Sequence, residues 1–155
     1  MKFIETKLDS GRYVNMKEVC QILLKKETNR VLFNFTSIVE KTDGSKKLLP
    51  AFHYVDFNEK SQAMKELQRY IQEANKMNIP MFVFTSEKYN RIVNFDNVNS
   101  FYIKEDEEGF AIFINFNTSI SSDILDGLTE HSIKITDTDK NVLKEFKEFL
   151  KKKLD

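Results

Sequence analysis

Apolar and polar residues alternate with a period of two over several short segments, which is the pattern of a strand with one buried face. In residues 31–35 the alternation places Val31, Phe33 and Phe35 on one face. Residues 110–116 repeat the pattern. Further strands are predicted at residues 3–6, 20–26, 52–57, 82–85, 99–105 and 132–135. The connections between them are short, so we expect antiparallel pairing.

Two other segments carry apolar residues at a spacing of three to four, which is typical of an amphipathic helix. They lie within residues 59–76 and 142–150. Asn58 and Asp137 stand where they could cap the helix starts. The segment from Met77 to Pro80 ends the first helix, because proline cannot continue one.

The two halves of the chain repeat each other. Arg12-Tyr13-Val14-Asn15 corresponds to Arg91-Ile92-Val93-Asn94, 79 residues later, and the predicted elements follow in the same order. The predicted fold class is therefore α+β: an internally duplicated β-β-β-β-β-α unit with antiparallel sheets, each covered by one helix, and pseudo-twofold symmetry. The units are residues 1–79 and 80–155, which could share one globular domain.

Charge is balanced overall but not between the halves. The chain has 24 basic and 24 acidic residues, with 14 basic and 10 acidic in 1–79, and 10 basic and 14 acidic in 80–155. A neutral chain makes nucleic acid an unexpected partner, since that affinity comes largely from phosphate neutralisation. We expect no membrane partner, because no apolar run reaches ~18–20 residues. A single cysteine agrees with a cytoplasmic location.

The face of each sheet that points away from its helix also carries apolar residues. They are Leu23 and Leu32 in the first half, and Tyr102 and Phe113 in the second. Covering such a face is worth several kcal/mol at about 25 cal/mol per Å². We expect it to be partly buried between the halves or against another molecule.

Two matched pairs of polar residues are candidate ligand or partner contacts. Asn34 and Asn115 lie mid-strand, where an amide could bond a ligand or a partner. His53 and His131 begin the predicted fifth strands and become equivalent if one gap is allowed, with Val55 matching Ile133. Each side chain could equally be an ordinary exposed strand residue. Asn15 and Asn94 precede tight connections, which favours a turn role.

Other features point to no cofactor, no metal and no catalytic residue. The acidic run at residues 105–108 lacks the spacing of a calcium loop. Lone Cys20 has no suggestive histidine neighbour. A small basic tip near Asp43-Gly44 carries Lys41, Lys46 and Lys47, which could contact phosphate.

The segments at residues 14–22 and 93–101 share the pattern Val-Asn-x-x-x-Val-x-x-Phe/Ile. This pattern resembles one in small proteins of low-GC bacteria and their phages, and it implies no particular activity. The doubled pattern is also superficially similar to the saddle of TATA-binding proteins. It lacks that family's first helix and basic underside, so DNA bending is not implied. The helix predicted within residues 59–76 argues against a single pleckstrin-homology-like domain.

These observations favour a non-enzymatic binding or assembly module. It would recognise a protein partner, a second copy of itself or a small ligand at the surface between repeats or between subunits, as an accessory protein of a low-GC bacterium or phage. One alternative is a nucleic-acid-associated accessory protein that uses Arg12 and the basic tip. Another is an enzyme of unrecognised type around the histidines and asparagines.

Overall fold

The chain folds as α+β, with two α-helices and mostly antiparallel strands. A computed structural model describes residues 3–6, 12–40, 48–120 and 131–153. Up to residue 79 the elements are β1 Phe3–Glu5, β2 Tyr13–Asn15, the 3₁₀-helix η1 Met16–Glu18, β3 Val19–Lys25, β4 Arg30–Glu40, β5 Leu48–Asp56 and α1 Lys60–Lys76. They continue with β6 Met81–Thr85, β7 Tyr89–Asn94, the 3₁₀-helix η2 Phe95–Asn97, β8 Val98–Glu105, β9 Phe110–Phe116, β10 Ser119–Ile120, β11 His131–Asp137 and α2 Lys140–Lys153. The predicted class and both predicted helices are confirmed.

The largest sheet combines strands from both halves of the sequence. Its antiparallel order is β6-β7-β3-β4-β5, and β7 lies directly against β3. The short strand β10 joins the far end of β4 in parallel, a pairing that the sequence did not predict. In the described ranges, β8, β9 and β11 form a separate three-stranded sheet, and β1 and β2 form a ribbon.

Two clusters of buried side chains form the core, one under each helix. The first contains Leu67 and Tyr70 of α1 packed on β3, β4 and β5, and the second contains Leu143 and Phe146 of α2 packed on β9 and β11. The alternation predicted for β4 and β9 is confirmed. Val31 and Phe33 of β4 are buried, as are their counterparts Ile112 and Ile114 of β9. Strand β7 contributes side chains to both clusters.

The helix caps differ from the prediction. The residue before α1 is Glu59, and the Asn58 carbonyl instead accepts a bond from Asn29 Nδ2 at 3.2 Å. At α2 the carboxylate of Asp139 accepts from the Asn141 backbone N–H, while Asp137 bonds Asp139 itself. The predicted caps were therefore placed one and two residues too early: Glu59 keeps an extended backbone before α1, and β11 continues to Asp137 before α2.

Two matched asparagines start the two 3₁₀-helices. Asn15 Oδ1 accepts from the Lys17 N–H at 3.1 Å, and Asn94 Oδ1 accepts from the Asp96 N–H at 3.0 Å. The predicted turn role is confirmed. Asn94 is also fully buried, and its Nδ2 donates to the Met16 and Val19 carbonyls. It therefore ties the turn before β8 to the turn before β3.

A β-bulge follows each of these turns. The pairing of β3 with β4 shifts between Val19 and Gln21, and the pairing of β8 with β9 shifts between Val98 and Ser100. After the bulge, Gln21 lies opposite Asn34 and Ser100 lies opposite Asn115. Both strands therefore bend at the same place relative to their asparagine-capped turns.

Candidate binding surfaces

The outer face of the large sheet, away from α1, carries an exposed apolar cluster. We call Leu23, Leu32, Phe52 and Tyr54 the first outer patch. The strand register places Leu23 opposite Leu32, and Leu32 opposite Tyr54, in one row across three strands. Phe52 and Tyr54 are 52% and 42% exposed. The patch lines a groove of about 620 Å³.

An ion pair borders one side of this groove. Arg30 Nε and Nη2 donate to the two carboxylate oxygens of Asp56 at 2.8 and 3.1 Å. The Arg30 guanidinium also lies 3.9 Å from the centre of the Tyr54 ring, which is a cation–π contact. The Arg30 hydrogen bonds hold the pKa of the Asp56 carboxyl below its usual range. The side chains that border the patch are therefore positioned before any partner arrives.

A line of hydrogen bonds crosses the same face from β7 to β4. Arg91 Nη1 donates to Gln21 Oε1 at 2.9 Å, and Gln21 Nε2 donates to Asn34 Oδ1 at 2.9 Å. The predicted site residue Asn34 thus lies half-buried beside the first outer patch, opposite Phe52. Its amide oxygen serves a contact between strands and does not point to a separate ligand site.

The three-stranded sheet carries a smaller counterpart. We call Tyr102 and Phe113 the second outer patch. Their rings stack at 4.6 Å with an angle of 13°, and Lys134 Nζ lies 5.3 Å from the Phe113 ring. On the same face, Asn115 Nδ2 donates to Ser100 Oγ at 3.1 Å. Three of the predicted site residues, Asn115, Tyr102 and Phe113, therefore lie on one face, with Tyr102 53% exposed.

The two histidines are not equivalent. His53 pairs with Phe33, whereas His131 pairs with Phe116. The register instead places Val31 opposite Val55 and Ile112 opposite Ile135, so the gap that aligned the histidines was wrong. The sequence could not reveal this offset because either register alternates equally well.

His53 belongs to the inner side of β5. Its ring stacks on Phe33 with centroids 6.0 Å apart, and Arg12 Nη1 lies 2.9 Å from its Nδ1. The backbone of His131 lies in another sheet. Its side chain is outside the described part of the chain, as are Lys41, Lys46, Lys47 and the turn at Asp43-Gly44. In the described part, the predicted polar residues divide between two sheets.

Cys20 is buried at the first bulge and reaches the second core cluster. Burial, with a smaller effect of Glu18, raises the pKa of its thiol to about 12. The thiol is therefore protonated at neutral pH and is a poor nucleophile. In the ranges that the structure describes, no group of three or more His, Cys, Asp or Glu side chains could hold a metal ion.

Sequence reasoning missed the exposed aromatic residues of the first outer patch. Phe52, Tyr54 and the Arg30–Asp56 pair were not predicted as contact residues, although the strand that contains the first two was. Their signal is the alternation within residues 52–57, where Val55 and Phe57 are buried and Phe52 and Tyr54 are not. Both sets are apolar, so the sequence alone did not say which faces water.

Comparison with protein-family models, with curated proteins and with solved structures finds no match to this chain. Neither α-helix in the described ranges is long and apolar enough to cross a membrane.

Proposed function

We propose that this protein is a non-enzymatic binding module that recognises a protein partner through the first outer patch. The observation that carries the proposal is a cluster of two exposed aromatic rings and two half-buried leucines, bordered by an arginine that pairs with Asp56 and lies over the Tyr54 ring. Tyrosine and arginine are the residues that dominate interface energies. Fixing them before binding lowers the conformational entropy that association costs.

The charges around the patch favour an acidic partner. Lys25, Arg30 and Arg91 are basic and Asp56 is acidic on this face, which leaves a positive excess. A partner that places an aliphatic or aromatic side chain in the groove, with Asp or Glu beside it, matches both features. Face-to-face pairing of two copies through this patch is disfavoured, because the same positive groups would meet.

The architecture that supports this surface is, in our proposal, a duplication. Residues 1–79 and 80–155 would be two copies of one β-β-β-β-β-α unit related by a pseudo-twofold axis. The matched 3₁₀-helices, their capping asparagines and the matched bulges support it. A cytoplasmic accessory role in a low-GC bacterium or phage is part of the same hypothesis.

A random peptide library is the probe that tests the proposal. Peptides selected on the wild-type protein are expected to combine an aliphatic or aromatic residue with Asp or Glu. Tyr54→Ser should weaken their binding about tenfold or more, as expected for a hot-spot tyrosine. Tyr102→Ser, the matched change on the second outer patch, should leave it unchanged.

Three results would contradict this function. Selected peptides that bind Tyr54→Ser and wild type equally would exclude the first outer patch as the contact surface. A labelled DNA duplex that binds at ~50 mM salt and is released as salt rises would favour the nucleic-acid alternative instead. An enzyme of unrecognised type is the remaining alternative, and turnover of any substrate would replace the proposal.

A further inference from the structure

Strands β3 and β8 have matched starts but different neighbours. Each follows an asparagine-capped 3₁₀-helix and carries a bulge two residues in. β3 is paired on both sides, by β4 and β7. Among the strands that the structure describes, β8 pairs only with β9. Its second edge therefore presents backbone donors and acceptors for another strand.

The occupied edge of β3 shows what a strand on the β8 edge needs. There β7 runs antiparallel, with Val93 opposite Gln21, Ile92 opposite Ile22 and Arg91 opposite Leu23. The corresponding positions on β8 are Ser100, Phe101 and Tyr102. A strand in the same register would place an apolar residue beside half-buried Phe101 and extend the second core.

The chain itself contains a strand of that composition. Arg12-Tyr13-Val14-Asn15 matches Arg91-Ile92-Val93-Asn94 of β7. In the described ranges β2 pairs only with β1, and Tyr13 is 59% exposed where its counterpart Ile92 is fully buried. Each of β2 and β8 thus has an edge that no described strand pairs with, whereas the corresponding edges of β7 and β3 pair with each other.

We propose that β2 of one copy of this chain pairs with the β8 edge of a second copy, with Val14 opposite Ser100. In the described conformation, β2 and β8 of one chain are not paired with each other. Reciprocal pairing uses both edges of both copies and gives a closed twofold dimer. Charge supports it, because β2 lies in the half with 14 basic and 10 acidic residues, and β8 in the half with 10 and 14.

Crosslinking between separate chains tests the register. Val14 itself is buried, but the same register places exposed Arg12 opposite exposed Tyr102. Arg12→Cys protein is therefore mixed with tagged Tyr102→Cys protein and oxidised mildly. Pairing should form the mixed disulfide about tenfold faster than a Ser132→Cys control on the far strand of the same sheet, because it raises the effective thiol concentration. The wild type, whose Cys20 is buried, gives the background.

Two crosslinking results overturn the proposal. One is a rate no higher than that of the Ser132→Cys control. The other is a disulfide that forms only within a chain carrying both R12C and Y102C, at a rate independent of concentration. That second result would mean that β2 closes on β8 of its own chain.

Light scattering after size-exclusion chromatography tests the dimer without cysteines. The wild-type mass should rise from monomer towards dimer with concentration. Ser100→Lys should raise the dimer Kd about tenfold, because a lysine on a strand edge opposes pairing, whereas Ser132→Lys should not change it. A monomer at every concentration, or equal effects of the two lysines, overturns the proposal. Because the first outer patch takes no part, peptide binding to it can succeed or fail independently.

Discussion

β3 and β8 begin in the same way and end in different surroundings. Val19, Cys20 and Ile22 of β3 are fully buried, whereas their counterparts Val98 and Phe101 of β8 are half-buried and Asn99 is exposed. The backbone features are shared, so the difference lies in the neighbouring strand: β7 covers β3 and no described strand covers that edge of β8. Burial of a strand in this fold therefore depends more on whether a strand pairs with each of its two edges than on the turn and bulge at its start.

The largest expected effect separates Leu24 from its counterpart Ile103. Leu24 is fully buried and Ile103 is half-buried. Leu24→Ala should lower the free energy of unfolding by about 3 kcal/mol, within the usual range for a buried leucine. Ile103→Ala should lower it by about half as much, since part of that side chain already contacts water.

Urea unfolding followed by circular dichroism measures both values. Lys104→Ala, an exposed change next to Ile103, is the control and should have little effect. Equal losses for Leu24→Ala and Ile103→Ala would break the comparison, because β8 would then be as well covered as β3.

The two capping asparagines should differ in the same direction. Asn94 is buried and makes three hydrogen bonds, two of which satisfy carbonyls of the other half, whereas Asn15 has the single cap bond to Lys17. Asn94→Ala should cost about 2 kcal/mol of unfolding free energy because the cap and two buried hydrogen bonds between the halves are lost, while Asn97 Nδ2 and the Val19 N–H still donate to the two carbonyls. Asn15→Ala should cost about 1 kcal/mol, the usual value of a cap.

Thermal and urea unfolding of the two variants test this prediction. Asn94→Asp keeps the cap acceptor but loses the amide donor, so it separates the two roles. If Asn94→Asp were as stable as wild type, the bonds to Met16 and Val19 would not stabilise the fold.

Cys20 and its counterpart Asn99 should differ in the pH dependence they cause. Burial raises the Cys20 pKa to about 12, above the ordinary value of about 8.5 in an unfolded chain. The folded state therefore holds its proton longer, and stability from this group is complete below about pH 8.5 and falls as pH rises towards 12, by at most about 1.4 kcal/mol per pH unit.

Unfolding free energies measured between pH 7 and 10 in wild type and Cys20→Ala isolate this term, since other groups titrate alike in both. The difference between the two proteins should shrink or reverse above pH 8.5. A constant difference would show that the thiol is not buried as described. Asn99→Ala should show no such pH dependence, because an amide does not titrate.

The smallest effect concerns the borders of the two outer faces. Arg30 opposite Asp56 is an ion pair, whereas the corresponding second-half residues, Ala111 and Thr136, carry no charge. The Asp56 carboxyl should titrate below the ordinary value of about 3.9, and Arg30→Gln should raise its pKa towards that value.

Carboxyl NMR chemical shifts followed during an acid titration give this pKa directly. Lys25→Gln removes a nearby charge without touching the hydrogen bonds and should shift the pKa less. An Asp56 midpoint that does not respond to Arg30→Gln would mean that the arginine does not hold the groove.

Much of the fold could be predicted because its signals are local. The period of two in β4 and β9 and the helical stripes around Leu67 and Phe146 each reflect one buried face, and all four elements are present. Helix starts were less predictable. Asn58 is a good capping residue, but Glu59 after it keeps an extended backbone, so the helix begins at Lys60.

Pairing between distant segments could not be predicted. Nothing in the sequence says that β7 lies on β3, or that β10 adds to β4, because a strand edge is recognised by backbone groups that all residues share. The predicted equivalence of the two histidines was wrong for the same reason. His53 and His131 were matched by order along the chain, whereas strand register matches His53 with Ile133.

Phe52 and Tyr54 show a further limit. Both faces of β5 are apolar, and the face that meets water is decided by where α1 packs. The exposed stretch of β8 was recognised only in part. Tyr102 was predicted as a contact residue, but the open edge beside it depends on the absence of a described neighbour on that side.

Adjacent residues of β7 enter different cores: Ile92 lies in the cluster under α1 and Val93 in the cluster under α2. One rigid strand thus ties the order of both clusters together, so losing either should loosen the other. If the two halves were separated near residue 79, by a protease cut or by termination of the chain, the first cluster would lack Ile92. Strand β3 would then have one unpaired edge. Heating should accordingly melt the molecule in one step, and neither half should hold its shape when made separately.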